Sequence, residues 1–118
     1  MADLTRQEVI KILATTEKAR LAGVDLSGLD LSGLNFANTD LTRANLTKAN
    51  LSNAYMRGAR IEYANLEGTL LVGANLKEAN LKGANLNNAD MTNANLKDAM
   101  LYSASLQGAR LNSNDFQR

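Results

Sequence analysis

The chain places an apolar residue at every fifth position from Leu26 to Phe116. Fourteen of these nineteen centres are Leu; Met56, Met91, Phe36, Phe116 and Ile61 complete the series. Two residues before the centre, thirteen of the nineteen positions are Ala, and one residue before it thirteen are Asn or Asp. All eight glycines sit two residues after a centre, so chance is excluded as the source of the register. A period of five fits neither common element. On an α-helix each step of five turns by about 500°, which would spread the leucines around the circumference. On a continuous strand an odd period would send successive leucines to alternate faces. One conformation keeps them all on one side: a short extended piece followed by a turn, once per pentapeptide.

Within each piece the centre and the residue two before it point inward, and the polar residue between them points out. Leu46, Leu66 and Leu86 are therefore expected in the core, with Ala64 and Ala84 beside them. Alanine fits because large and small side chains must share a narrow interior. The glycine slot is the corner, where a positive φ suits Gly and is tolerated by Asn. Arg43, Lys48, Tyr63 and Glu78 occupy that slot too. Their presence predicts that some corners avoid positive φ and that turn types are mixed.

The stretch ANLKEANLKGANLNNADMTNANLKD at 74–98 shows the motif in its plainest form, A(N/D)LXX. It resembles the pentapeptide repeat protein family, and the resemblance covers Val24 to Arg118. The resemblance implies an all-β solenoid: a right-handed quadrilateral β-helix with four pentapeptides per coil. Nineteen pentapeptides then give about 4.75 coils, a rod of roughly 23 Å at sheet spacing. The family is especially abundant in cyanobacteria, and many members have no assigned role.

Residues 1–23 lack the repeat and are expected to form a cap, with the β-helix spanning 24–118. Thr5-Arg6-Gln7-Glu8 reads as a capping box, with Leu4 and Val9 as a hydrophobic staple. Val9, Ile10, Ile12, Leu13 and Thr16 follow helical spacing, which predicts a helix from about Arg6 to Ala19 ended by Gly23. The first coil carries Val24, Leu29 and Leu34 in the small slots, as if these project from the end and pack against Val9, Ile10 and Leu13. At the other end Asn114 breaks the Ala pattern and Phe116 is placed to fold over the last ring. Relatives often dimerise through this end, so Leu111 and Phe116 are candidate contacts of an end-to-end homodimer.

Composition narrows the function. Cys and His are absent, which removes disulfides, thiolate metal sites, cysteine nucleophiles and the commonest general base. The chain has a net charge of +1, and its repeat region balances nine basic against nine acidic residues. No apolar run approaches a membrane span and the start is not a convincing secretory signal, so a cytoplasmic protein is expected. No phosphate loop, nucleophile elbow or metal-ligand spacing occurs. Catalytic residues, metals, cofactors and small-molecule substrates are not expected.

Function must then lie on outward positions, which can be assigned to faces by counting in twenties. The stacked asparagines Asn45, Asn65 and Asn85, and Asn75 with Asn95, read as structural, because their amides can bond nearby backbone or one another. Tyr55 and Arg60 replace Asn before consecutive centres, flanked by Arg57 and Tyr63. Tyr and Arg are enriched in interaction hot spots, so these four form a candidate protein-binding corner. Surface drift accounts for them as well, and base stacking on Tyr63 is a lesser reading. Leu70 and Val72 form a second outward irregularity and a further contact candidate. The sequence thus points to a non-enzymatic scaffold or protein-binding module with an unknown protein partner. The alternative, implied by the family, is a DNA mimic that binds type II topoisomerases and gives quinolone resistance. A short, electrically neutral repeat region disfavours it.

Overall fold

The structure, a computed structural model, describes residues 2–112. Leu111 is the last centre within that range; Asn114 and Phe116 lie outside the described residues. The first element is the helix α1, Arg6–Thr15. Thr5 is its N-cap and the capping box is complete. The Thr5 hydroxyl accepts from the Glu8 N–H at 3.2 Å, and the Glu8 carboxylate accepts from the Thr5 N–H at 2.8 Å. This satisfies two of the donors a helix start leaves open.

The helix ends four residues earlier than its spacing predicts. Thr16 is already extended, and Ala19 is buried as the inward small residue of a coil side. The Ala19 carbonyl accepts from Asp40 N–H at 2.9 Å, and Leu21 N–H donates to the Asp40 carbonyl at 2.7 Å. Ala19-Arg20-Leu21 is thus a repeat unit that lies ahead of the expected boundary at Val24. Its Arg in place of Asn hides it from the sequence pattern.

From there the chain coils with strict regularity. Parallel bridges join each outward residue to the one twenty positions on, from Arg20↔Asp40 to Asp90↔Arg110. A repeat of twenty is four pentapeptides, so each coil has four sides. The first face carries Arg20, Asp40, Arg60, Asn80 and Met100, and the second Asp25, Asn45, Asn65, Asn85 and Ser105. The third carries Asp30, Asn50, Leu70, Asp90 and Arg110, and the fourth Asn35, Tyr55, Asn75 and Asn95. The first and third faces are opposite.

The interior is apolar and layered. Leu46, Leu66 and Leu86 are fully buried, as are Ala64 and Ala84. Two small slots hold threonine, Thr39 and Thr69, and both are buried. Thr69 resolves its polarity by donating to the Leu46 carbonyl at 2.9 Å, so no penalty for an unmet hydroxyl arises. Below the first coil, Val9 is buried and Leu4, Ile12, Leu13, Val24, Leu29 and Leu34 pack against the same cluster. Val9, Ile12 and Leu13 follow the i, i+3, i+4 stripe of one helix face. Ile10, expected in this contact, sits off that stripe and is outside the cluster. Arg6 also donates to the Asp30 carbonyl at 2.8 Å, and Asp3 N–H to the Asp25 carbonyl at 2.7 Å.

Every corner from Gly23 to Gly108 has positive φ, including Arg43 (60°), Lys48 (59°), Tyr63 (59°) and Glu78 (63°). The expectation of mixed turns is therefore wrong. At each corner from Gly23 to Asn88 two bonds fix the geometry. Ala44 N–H donates to the Leu41 carbonyl at 3.0 Å across the turn, and Arg43 N–H donates to the Glu62 carbonyl of the next coil at 2.9 Å. A corner that turned differently would lose both and shift the register of every later coil. That loss outweighs the roughly 1–2 kcal/mol of left-handed strain on a non-glycine residue.

The backbone accounting explains the outward Asn. Around Leu46 four N–H groups have backbone acceptors: Ala44 to Leu41, Asn45 to Val24, Leu46 to Asn65 and Lys48 to Glu67. The fifth, Thr47 N–H, donates to Oδ1 of Asn45 at 3.1 Å. The same bond recurs from Ala37 to Asn35, Glu67 to Asn65, Lys77 to Asn75, Asn87 to Asn85 and Lys97 to Asn95, at 2.9–3.0 Å. Aspartates serve equally at Asp40 and Asp90, where the Thr hydroxyl two residues on also donates. The amides thus close Asx-turns within their own side.

Candidate functional site

Six outward slots after the first coil carry side chains with no carbonyl or carboxylate oxygen suited to that cap: Tyr55, Arg60, Leu70, Met100, Ser105 and Arg110. Four of them are large exposed groups. Tyr55 is 43% exposed, Leu70 43% and Met100 42%, and Arg60 is exposed. The departures from the fold's own rule thus supply three of the exposed large hydrophobics, while Tyr63 and Tyr102, the other two, stand in the turns between coil sides.

The structure gathers Tyr55, Arg57, Arg60 and Tyr63 around the first face and its two edges. Arg57 Nε donates to Glu78 Oε1 at 3.1 Å, which bridges two coils at the edge with the fourth face. This bond, then the nearby Glu78 charge, raises the pKa of Arg57, and Tyr55 adds to the effect. At the other edge Tyr63 is fixed as part of a column. The Arg43 guanidinium lies 4.8 Å from the centroid of its ring, a cation–π contact. On the opposite side the ring covers Gly83, where an added Cβ would stand 2.5 Å from two ring carbons. Gly83 thus gives the tyrosine a flat seat, and the ring remains 46% exposed. Sequence spacing shows that Arg43, Tyr63 and Gly83 are twenty apart, but not that the ring lies flat.

On the first face itself, Asp40 stands between Arg20 and Arg60. Thr42 donates to Asp40 Oδ1 through its hydroxyl at 2.6 Å and its N–H at 3.0 Å. These two bonds, hydroxyl first, hold the Asp40 carboxyl below its ordinary pKa, with Arg60 and Arg20 adding to it. Arg60 also approaches Glu62, Nη2 to Oε2 at 3.9 Å, and Glu62 Oε1 is buried without a hydrogen-bond partner among the described residues. Lys18, Arg20, Asn38, Asp40, Gly58 and Arg60 line a cleft of about 390 Å³. Met100 and Tyr102 lie farther along the same face, Tyr102 70% exposed.

Leu70 and Val72 belong to the third face, opposite this group, and the fold does not bring them together with it. Val72 is half-buried, and its carbonyl accepts from Asn53 N–H at 2.9 Å. Among the described residues no group of His, Cys, Asp and Glu is arranged to hold a metal ion. No helix among them is long and apolar enough to cross a membrane.

The four-sided coil, the inward Ala and Leu, and the Asx-capped corner together define a β-helix built from pentapeptides. The family model for pentapeptide repeats matches residues 19–58, 59–98 and 79–118, with 8 copies. The chain belongs to the pentapeptide repeat family, whose solved members are right-handed β-helices. The first match begins at Ala19, where the structure also begins the coil. Among solved structures, the chain is similar to a pentapeptide repeat protein from the cyanobacterium Cyanothece 51142, at 35% identity and TM-score 0.53. That match covers 77% of this chain and 62% of the other. A pentapeptide repeat protein from the Arabidopsis thaliana thylakoid lumen matches at 35% identity and TM-score 0.51, over 70% of this chain and 61% of that one. The chain thus spans about three-fifths of the length of these two relatives. A third, from Nostoc PCC 7120, shares the fold at 24% identity and TM-score 0.62, over 95% of this chain and 100% of that one. No curated protein matches.

Proposed function

We propose that the chain is a non-enzymatic protein-binding module whose partner docks on the corner formed by Tyr55, Arg57, Arg60 and Tyr63. One observation carries this reading: the outward slot that caps the backbone elsewhere is given over to Tyr55 and Arg60, at the place where Tyr63 is held open between Arg43 and Gly83. Rigid aromatic groups bury area on contact at little entropic cost, and Tyr and Arg dominate interaction energetics. Most of the other outward slots carry amides or carboxylates that cap the backbone, and the cavity of about 560 Å³ beside the end of α1, lined by Leu13, Thr15, Thr16, Glu17, Asn35 and Thr39, holds no histidine or cysteine.

In this reading α1 covers the start of the solenoid. Val9, Ile12 and Leu13 shield the first apolar ring, while Asp3 and Arg6 take up carbonyls of the lowest coil. The nineteen pentapeptides from Val24 count to about 4.75 coils, the unit at 19–21 adds one further side, and the cytoplasm is the compartment proposed. The far end is proposed as a homodimer contact through Leu111, which is half-buried in the last described side, together with Phe116. The topoisomerase reading has no support in the geometry, because the most distinctive face is lined by cations rather than acids. An affinity pull-down from lysate of the native source tests the proposal. The wild type is expected to retain a protein that Tyr55→Ser/Arg57→Ser/Arg60→Ser/Tyr63→Ser loses. Equal capture by both would overturn the assignment of this corner.

A further inference from the structure

The cleft on the first face has a chemistry of its own. Its lining holds three cations, Lys18, Arg20 and Arg60, against one carboxylate, Asp40. That carboxylate already accepts two bonds from Thr42 on Oδ1. Glu62, beside Arg60, approaches its guanidinium only at 3.9 Å. Among the described residues no carboxylate lies within ion-pair distance of Lys18 or Arg20, although the Arg20 charge acts on Asp40. Arg20 and Arg60 stand two coils apart, roughly 10 Å at sheet spacing, on either side of Asp40. Gly58 contributes no side chain to the lining. The result is a concave, partly walled spot with excess positive charge on a chain whose repeat region is neutral as a whole.

We propose that this cleft accepts a carboxylate, and that the protein partner presents an acidic segment to the first face. The inference rests on the docking reading above and adds the partner's charge. Asp40 already stands between the two arginines, so an incoming carboxylate would meet the guanidinium donors of Arg20 and Arg60 on their outward sides, which no hydrogen bond to Asp40 occupies. Lys18 at the rim would add a third contact. The peptide around that carboxylate would then lie toward Tyr55 on one edge and Tyr63 on the other. A cleft of about 390 Å³ holds one acidic side chain rather than a folded domain, so the rest of the contact falls on those edges.

The test uses the full chain and a fluorescein-labelled twelve-residue peptide of alternating Glu and Ser, with a Lys/Ser peptide and inorganic phosphate as comparison probes. Amide and guanidinium NMR signals of Arg20, Gly58 and Arg60 report the site, and fluorescence anisotropy reports the affinity. The Glu/Ser peptide is expected to shift those signals and to bind at least roughly tenfold more weakly to Arg20→Asn/Arg60→Asn. Both substitutions install the outward residue the other coils use, so the variant should melt no lower than the wild type. Loss of binding can then be separated from loss of fold. Unshifted signals, equal affinity in the variant, or equal binding of the Lys/Ser peptide would overturn the proposal. Shifts produced as strongly by phosphate as by the Glu/Ser peptide would reduce the cleft to a general anion site and also overturn it. If the peptide binds but the pull-down variant loses nothing, the cleft stands and the docking corner fails. If the corner variant loses a partner that Arg20→Asn/Arg60→Asn keeps, the corner stands and the acidic partner fails.

Discussion

Leu66→Ala is expected to lower stability by about 2–5 kcal/mol, among the largest effects of any single change in the chain. Leu66 is fully buried between the rings of Leu46 and Leu86. Its neighbours are held in place by ladder bonds to the coils on both sides: Leu66 N–H donates to the Asn85 carbonyl at 2.7 Å, and Leu46 N–H to the Asn65 carbonyl at 2.7 Å. The coil cannot collapse into the space left behind without breaking that ladder, so most of the cavity cost should persist. For a chain of this size each kcal/mol corresponds to about 4–8 °C in melting temperature. The same substitution at Leu106, which is only half-buried, should cost much less. Thermal melts of the two variants check the contrast. Equal losses would mean that the coils do not share the rigid, layered interior described here.

Ala84→Leu is expected to destabilise by about 1–3 kcal/mol or more, in this case through excess volume. Ala84 lies buried between Ala64 and Ala104, with Asn85 N–H bonded to the Ala64 carbonyl and Ser105 N–H bonded to the Ala84 carbonyl, both at 3.0 Å. An inward leucine there has no room to leave the layer. Leu29 and Leu34 occupy the equivalent slot in the first coil without such a penalty, because they are half-buried and reach toward α1. Position along the rod, rather than residue type, should decide the cost. A melt of Ala84→Leu that coincides with the wild type would contradict an inward Ala84.

The repeat made the fold legible because one rule, written nineteen times, fixes the side-chain direction at each step. The four faces and the pairing of Asn45 with Asn65 and Asn75 with Asn95 follow from counting in twenties. Three features were not legible, each for a physical reason. Local preference suggested that Arg43, Lys48, Tyr63 and Glu78 would refuse positive φ, but the ladder imposes one corner geometry on all of them. Helical spacing carried α1 on to Ala19, but pairing with Asp40 claims that residue for the coil. The pose of Tyr63 depends on the absence of a side chain at Gly83 and on the reach of Arg43, which the sequence gives only as identities. The candidate corner could be singled out as a set of residues. Its separation from Leu70 and Val72, on the opposite face, also follows from the count.

The central claim is that the outward Asn is a backbone cap and that Tyr55 and Arg60 stand where the fold itself would use one. The melting temperature of Tyr55→Asn/Arg60→Asn tests it directly. Each new amide should accept the N–H two residues on, from Arg57 and Glu62, for about 0.5–1.5 kcal/mol per site. A rise in melting temperature is the predicted result, and it would mean that the two side chains are present at a cost to the fold. A fall would contradict the account, because Tyr55 and Arg60 would then be holding the coil together rather than standing ready for a partner.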